Sequence, residues 1–196
     1  MKVIGIAFSD LHLGEYSKFN EDNKRTLNHI RVLYLIKDLC IKYKCPAFFC
    51  GDFMHRPEFI STSLDEIIIE QFEELNRCEE FNIYGISGNH DLQKSNTIER
   101  RSSSHWANLC RRYSFLHNID FSYHDFGKFR VVGIPYIDHN KGLDSLIKAE
   151  LKGAMLKPTI LLLHTDYPGA KDTDNTEVGT VENLNVNLLT KFKLVL

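Results

Sequence analysis

No apolar run in this chain approaches the roughly 18 residues that a membrane-crossing helix requires. The N-terminal MKVIGIAFSD meets an acid at Asp10, too early for a secretory signal. A cytoplasmic protein without membrane contact is the expectation. The five cysteines, Cys40, Cys45, Cys50, Cys78 and Cys110, are odd in number and contain no CxxC spacing. Their mostly apolar surroundings predict buried free thiols and no disulfide framework. Nor is there a surplus of positive charge: 24 Lys and Arg against 26 Asp and Glu leave a net charge of -2. Net charge therefore announces no nucleic-acid binder, and only a local patch could serve one. P-loop, nucleophile elbow and dinucleotide fingerprint are all missing, as are repeats, low-complexity tracts and linkers. The 196 residues, 43% hydrophobic and 26% charged, are enough for one globular domain with a substantial core.

What is present is an alternation of short β-rich runs and helical stretches. Val3 to Ser9 reads as a buried strand. Val32, Leu35, Ile36, Leu39 and Tyr43 follow at helical spacing. Ala47 to Cys50 is a second strand. Ser63 with Glu66 forms a capping-box pattern ahead of the apolar face Leu64, Ile67, Ile68, Phe72 and Leu75. Phe81 to Ile86 returns as strand, and this βαβαβ rhythm implies parallel strands covered by helices. In the second half, Phe121 to Tyr123 and Phe129 to Ile134 predict a hairpin around Asp125 to Lys128, with a helix near Leu143 to Met155. Thr159 to Leu163 is a strong buried strand. A polar loop over Thr165 to Thr180, a helix over Val181 to Leu189 and a strand over Phe192 to Leu196 complete the chain.

The stretch YGISGNHDLQ, Tyr84 to Gln93, ends a strand in Gly-Asn-His-Asp. Gly88 would let the backbone turn tightly and fan three polar side chains from one point. A plain polar turn has the same composition. The rest of the chain separates the two readings. The first strand runs into Asp10-Leu-His12, the second into Gly51-Asp52-Phe-Met-His55, the third into Gly88-Asn89-His90-Asp91, and the strand Thr159 to Leu163 into His164. In open α/β sheets, ligands bind at the carboxyl ends of the strands. Four placements at one sheet edge favour a site. Carboxylate, imidazole and amide groups without thiolate suit Mn, Fe or Zn, and a central carboxylate can bridge two ions about 3.5 to 4 Å apart. Hydrolysis of a phosphate ester is the natural chemistry of such a cluster.

In order and spacing, Asp10-x-His12, Gly51-Asp52, Gly88-Asn89-His90-Asp91 and His164 resemble the calcineurin-like metallophosphoesterases. That resemblance implies an α/β fold, a two-sheet β sandwich flanked by helices. His55, three residues after Asp52, resembles the SbcD-type DNA repair nucleases and their phage relatives, and Leu13-Gly14 and Pro135-Tyr136 are weaker echoes. The resemblance implies that Asp10, His12 and Asp52 hold one divalent ion and Asp52, Asn89 and His164 the other, most readily Mn, with Fe, Zn or Mg as alternatives. His90 would stabilise the transition state or protonate the leaving oxygen, assisted by His55, with Asp91 fixing the His90 tautomer.

The implied function is two-metal hydrolysis of DNA phosphodiesters, in a nuclease subunit partnered by an SbcC-type coiled-coil ATPase. A homodimer is a further candidate assembly. The rivals are a small-molecule phosphatase or cyclic-nucleotide phosphodiesterase of the same superfamily, and a non-catalytic scaffold. Lys94, Arg100, Arg101, Arg111 and Arg112 follow the Gly-Asn-His-Asp motif and are the candidate contacts to DNA phosphates, against the plain reading of a solvated helix face. Asp172 to Glu177 resembles a calcium loop only superficially, because the glycine at its sixth position and the distal glutamate are absent. In the family, a strand like KFKLVL, Lys191 to Leu196, runs into Gly-His-x-His, whose histidines complete the metal pair. The chain is therefore expected to be a nuclease domain, 1–196, without its C-terminal part or its capping and partner-binding regions. Weak metal occupancy and little activity follow for it alone.

Overall fold

The computed structural model describes residues 2–14, 24–55, 61–92, 104–137, 142–154, 157–165 and 186–196. They fall into two compact units, Met1–Asn118 and Ile119–Leu196. In the first, β1 (Ile6–Phe8), β2 (Ala47–Phe49), β3 (Ile83–Gly85) and β4 (Leu116–Asn118) form one sheet in that order. Every pairing is parallel, with Ile6 opposite Ala47, Ala47 opposite Ile83, and Ile83 opposite Leu116. Such a register brings the carboxyl ends of all the strands to one edge.

The connections are α1 (Lys24–Tyr43), α2 (Thr62–Asn76) and α3 (His105–Arg112). One core joins Ile30, Leu33 and Ile36 of α1, Leu64, Ile68 and Phe72 of α2 and Trp106 of α3 to Ala47, Phe49, Ile83 and Leu116 of the sheet. Two sequence expectations are corrected here. The buried face of α1 is Thr26, Ile30, Leu33, Ile36 and Cys40. Val32, Leu35 and Tyr43 stand exposed, Leu35 at 58%. This helix carries two apolar stripes about one residue apart, and periodicity alone cannot choose between them. At the start of α2, the cap is Ser61, which accepts the Leu64 amide; Ser63 lies inside the helix. The predicted face of α2 is otherwise the observed one, with Leu64, Ile68, Phe72 and Leu75 buried.

Strand β4 was not anticipated. Leu-His-Asn offers only one strongly apolar position, and the strand exists because β3 presents an open parallel edge to it.

The second unit has a sheet in the order β5 (Ser122–Asp125), β6 (Arg130–Ile134), β7 (Thr159–Leu163), β8 (Leu194–Val195). The expected hairpin is present, β5 pairing antiparallel with β6 around Gly127 at φ 78. Strands β6, β7 and β8 then run parallel. Helix α4 (Leu143–Ala154) and the short α5 (Val186–Leu189) complete the unit, whose core is Val132, Ile134, Leu143, Ile147, Leu161 and Phe192. The polar loop over Thr165 to Thr180, except for Thr165 itself, and the first part of the predicted helix over Val181 to Leu189 lie outside the described residues. No helix of the described residues is long and apolar enough to cross a membrane.

Candidate metal centre

The loop after β1 reads Asp10-Leu11-His12-Leu13, and the loop after β2 reads Asp52-Phe53-Met54-His55. Each sets candidate ligands among apolar anchors. Leu11 and Leu13 are buried, and Phe53 and Met54 are fully buried. The Phe53 ring packs on Phe49 at 5.3 Å, Trp106 at 5.3 Å and Phe72 at 5.7 Å. Burying one such side chain contributes about 1.5 to 3 kcal/mol, which pins the loop to the sheet edge. The two loops also run side by side. Asp10 N–H donates to the Gly51 carbonyl, His12 N–H to Asp52, Leu13 N–H to Phe53, and His55 N–H to Leu13, at 2.8 to 3.0 Å. Thr26 of α1 donates to the Gly14 carbonyl at 2.8 Å, tying the helix to the same loop.

Three candidate ligands sit in left-handed backbone: Asp10 at φ 54, His12 at φ 45 and Asp52 at φ 62. Asp is among the residues that tolerate this region, but each such conformation is costly, and its concentration in one place marks a site held by its surroundings. The result is a compact donor group. His12 Nε2 lies 3.5 Å from Asp10 Oδ1 and 3.7 Å from Asp52 Oδ2. Donor atoms of Asp10, His12 and Asp52 all lie within 4.8 Å of one another. Two carboxylates and an imidazole this close, with Asp52 buried, fit a divalent ion of the Mn, Fe or Zn type. Cys50, beside Asp10, is no competitor: burial pushes its thiol up to about 12, and the Asp10 charge adds to the effect.

His90 is brought to the same place from β3. Its N–H donates to Asp52 Oδ1 at 2.9 Å, and its Nδ1 lies 2.9 Å from the His55 carbonyl oxygen. A carbonyl only accepts, so Nδ1 carries the proton and the neutral ring has its lone pair on Nε2. The expected role of Asp91 is corrected by these contacts. It does not orient His90. Its carboxylate is fully buried and accepts four backbone amides, from Gly88 and Asp52 at Oδ2 and from Phe53 and Met54 at Oδ1, at 2.9 to 3.0 Å. Asp91 therefore staples the β3 turn to the loop after β2. Burial pushes its carboxyl up to about 6, against the opposing pull of the amides, with the nearby Asp52 charge adding to the rise.

Gly88 is also needed for another reason than a turn. Its φ is not in the left-handed region. A Cβ there would stand 2.1 Å from Asp52 Oδ1 and 2.3 Å from Asp52 N, so the residue is glycine to let two loops touch.

Asn89 is exposed and immediately precedes His90. His164 follows β7 in the second unit, its ring 6.2 Å from that of Tyr136. Arg111 and Arg112 are exposed in the last turn of α3. Arg111 donates to Asn108 at 3.1 Å, and Arg112 lies over the Tyr113 ring at 5.4 Å. Lys94, Arg100 and Arg101 lie outside the described residues. Sequence reasoning missed the His55 carbonyl as the anchor of His90, because a backbone atom leaves no signature. It also missed Leu11, Leu13 and Phe53 as loop anchors, although apolar residues set among the ligands were a legible signal.

No curated protein matches the chain. Among solved structures, it is similar to a nuclease, MPE, from Pseudomonas putida, at 12% identity over 80% of this chain and 59% of that one, with a TM-score of 0.41. It is also similar to a putative 5'-nucleotidase from Staphylococcus aureus, solved in complex with alpha-ketoglutarate, at 16% identity over 96% of this chain and 42% of that one, with a TM-score of 0.54. The second likeness is one of fold, and the chain spans less than two thirds of the length of either protein. Residues 6–190 match the family model described as calcineurin-like phosphoesterase, so the chain belongs to that metallophosphoesterase family.

Proposed function

We propose that this chain is a metal-dependent phosphodiesterase acting on DNA, the nuclease subunit of an SbcC/SbcD-like repair or recombination assembly partnered by a coiled-coil ATPase. The observation that carries the hydrolytic part is the Asp10, His12 and Asp52 donor group with His90 hung on the same Asp52 carboxylate. When bound, divalent ions, manganese first among them, supply Lewis acidity toward a phosphate oxygen and activate a water. Asp10, His12 and Asp52 would hold one such ion. Because Asp52 Oδ1 also accepts the His90 amide, the ligand and the catalytic histidine keep a fixed separation. With Nδ1–H committed to the His55 carbonyl, His90 turns its Nε2 to the substrate. In its cationic form, Nε2–H donates to the charge that develops on the phosphate or protonates the leaving oxygen.

The DNA part of the reading rests on the Gly51-Asp52-x-x-His55 pattern and on the basic positions after β3. The test is manganese-dependent cleavage of linear duplex and single-stranded DNA beside a small phosphate monoester. Cleavage of DNA with little monoester turnover supports the reading. The reverse preference favours a small-molecule phosphatase, and no hydrolysis by metal-loaded protein favours a scaffold. Replacing Arg111 and Arg112 by Ser is expected to lower the salt dependence of DNA binding by about one unit for each phosphate that is no longer neutralised. An unchanged slope assigns both arginines to solvent.

A further inference from the structure

A second donor group shares one residue with the first. Ring nitrogens of His12, His55 and His90 lie within 4.8 Å of one another, and no carboxylate belongs to the group. The His55 and His90 rings stand parallel, 5.7 Å between centroids and 15° between planes. The His12 ring meets both edge-on, at 5.7 Å and 75° to His55 and at 4.9 Å and 85° to His90. All three residues are half-buried, so the cluster is open to ions from solution without being freely hydrated.

We propose that His12, His55 and His90 form an imidazole-only site for a borderline transition ion such as Zn²⁺ or Ni²⁺, and that its occupation displaces an ion held through Asp10, His12 and Asp52. The geometry is within reach of a three-histidine site. Zn–N bonds of about 2.0 to 2.1 Å put tetrahedral ligand nitrogens roughly 3.3 Å apart, so the rings close by no more than about 1.5 Å. The His90 tautomer is already suitable, because the His55 carbonyl holds Nδ1–H and directs the lone pair to Nε2. The chemistry sorts the ions. Carboxylate-rich donors suit Mn²⁺ or Mg²⁺, whereas an all-imidazole set favours Zn²⁺, Ni²⁺ or Cu²⁺. His12 cannot point its Nε2 at both centres, so the two ions exclude each other. A zinc ion in the imidazole site also immobilises His90. Zinc and manganese are therefore antagonists at this edge of the sheet, and trace zinc acts as an off-switch.

The substitution that isolates the site is His55→Gln, because the residue 55 carbonyl that anchors His90 survives it. Zn²⁺ affinity is measured on the full chain by competition with a chromophoric chelator, and Mn²⁺ release is followed by electron paramagnetic resonance as ZnCl₂ is added. In the parent protein, zinc should release manganese. In H55Q, zinc affinity should fall by about tenfold or more while manganese affinity stays within about twofold. Asp10→Asn should give the opposite pattern, weakened manganese and retained zinc. Zinc affinity that falls in D10N but not in H55Q overturns the proposal, as does zinc that binds without releasing manganese. If H55Q loses manganese as well, His90→Gln decides on the same readouts. The zinc arm needs no hydrolysis and no bound manganese, so failure of the phosphodiesterase reading leaves it interpretable.

Discussion

The two units build their sheets differently, and the difference explains where the chemistry sits. In Met1–Asn118 every strand pairing is parallel, so the loops after β1, β2 and β3 leave from one edge. Those loops bond to one another as they leave the strands, and they bring together Asp10, His12, Asp52, His55 and His90. In Ile119–Leu196 the first connection is a hairpin, which turns β5 the other way, and one expected ligand, His164, follows a strand of that sheet. Among the described residues, both candidate metal groups lie in the first unit. Parallel pairing puts the carboxyl ends of the strands at one edge, whereas antiparallel pairing puts them at opposite edges.

The largest expected effects separate the candidate metal ligands of the first unit from the proposed catalytic histidine. Asp52→Ala is expected to abolish manganese binding, measured by elemental analysis after loading with Mn²⁺ and dialysis. His90→Ala should keep manganese and lower turnover by roughly 10² to 10⁴. His164→Ala places the second unit on the same scale. It is expected to reduce metal content by less than Asp52→Ala, and equal losses would break the comparison.

Next in size is the staple. Asp91→Ala leaves four buried amides without an acceptor and should lower the unfolding free energy by about 3 to 5 kcal/mol in urea titration. A cost below about 1 kcal/mol would mean that water replaces the carboxylate and that the loops are not held by it. Gly88→Ala comes after, at about 1 to 3 kcal/mol of overpacking. Because the added methyl meets the backbone and carboxylate of Asp52, metal affinity should fall with stability.

The smallest effect, at Leu35, is set against a large one on the same helix. Ile36→Ala should cost about 2 to 5 kcal/mol, as for a buried isoleucine, and its neighbour Leu35→Ala less than about 0.5 kcal/mol. Equal costs would return α1 to the face expected from its periodicity.

Much of this protein follows from sequence alone because period and punctuation are local properties. The runs Ala47 to Cys50 and Thr159 to Leu163 could be little but buried strands, and the α2 face read correctly because its opposite side is charged. The candidate ligands were legible for the same reason: each stands at the end of a strand, and the positions of strand ends are written in the chain. What α1 buries was not written there. Val32 and Leu33 are equally apolar, and only the neighbouring sheet and helices decide which one it covers. Strand β4 likewise needed a partner edge to exist. Asp91 shows the limit most sharply. One residue from His90 in sequence, it bonds instead to amides 37 to 39 residues away, because a buried carboxylate goes where donors are densest, and only the folded chain decides where that is.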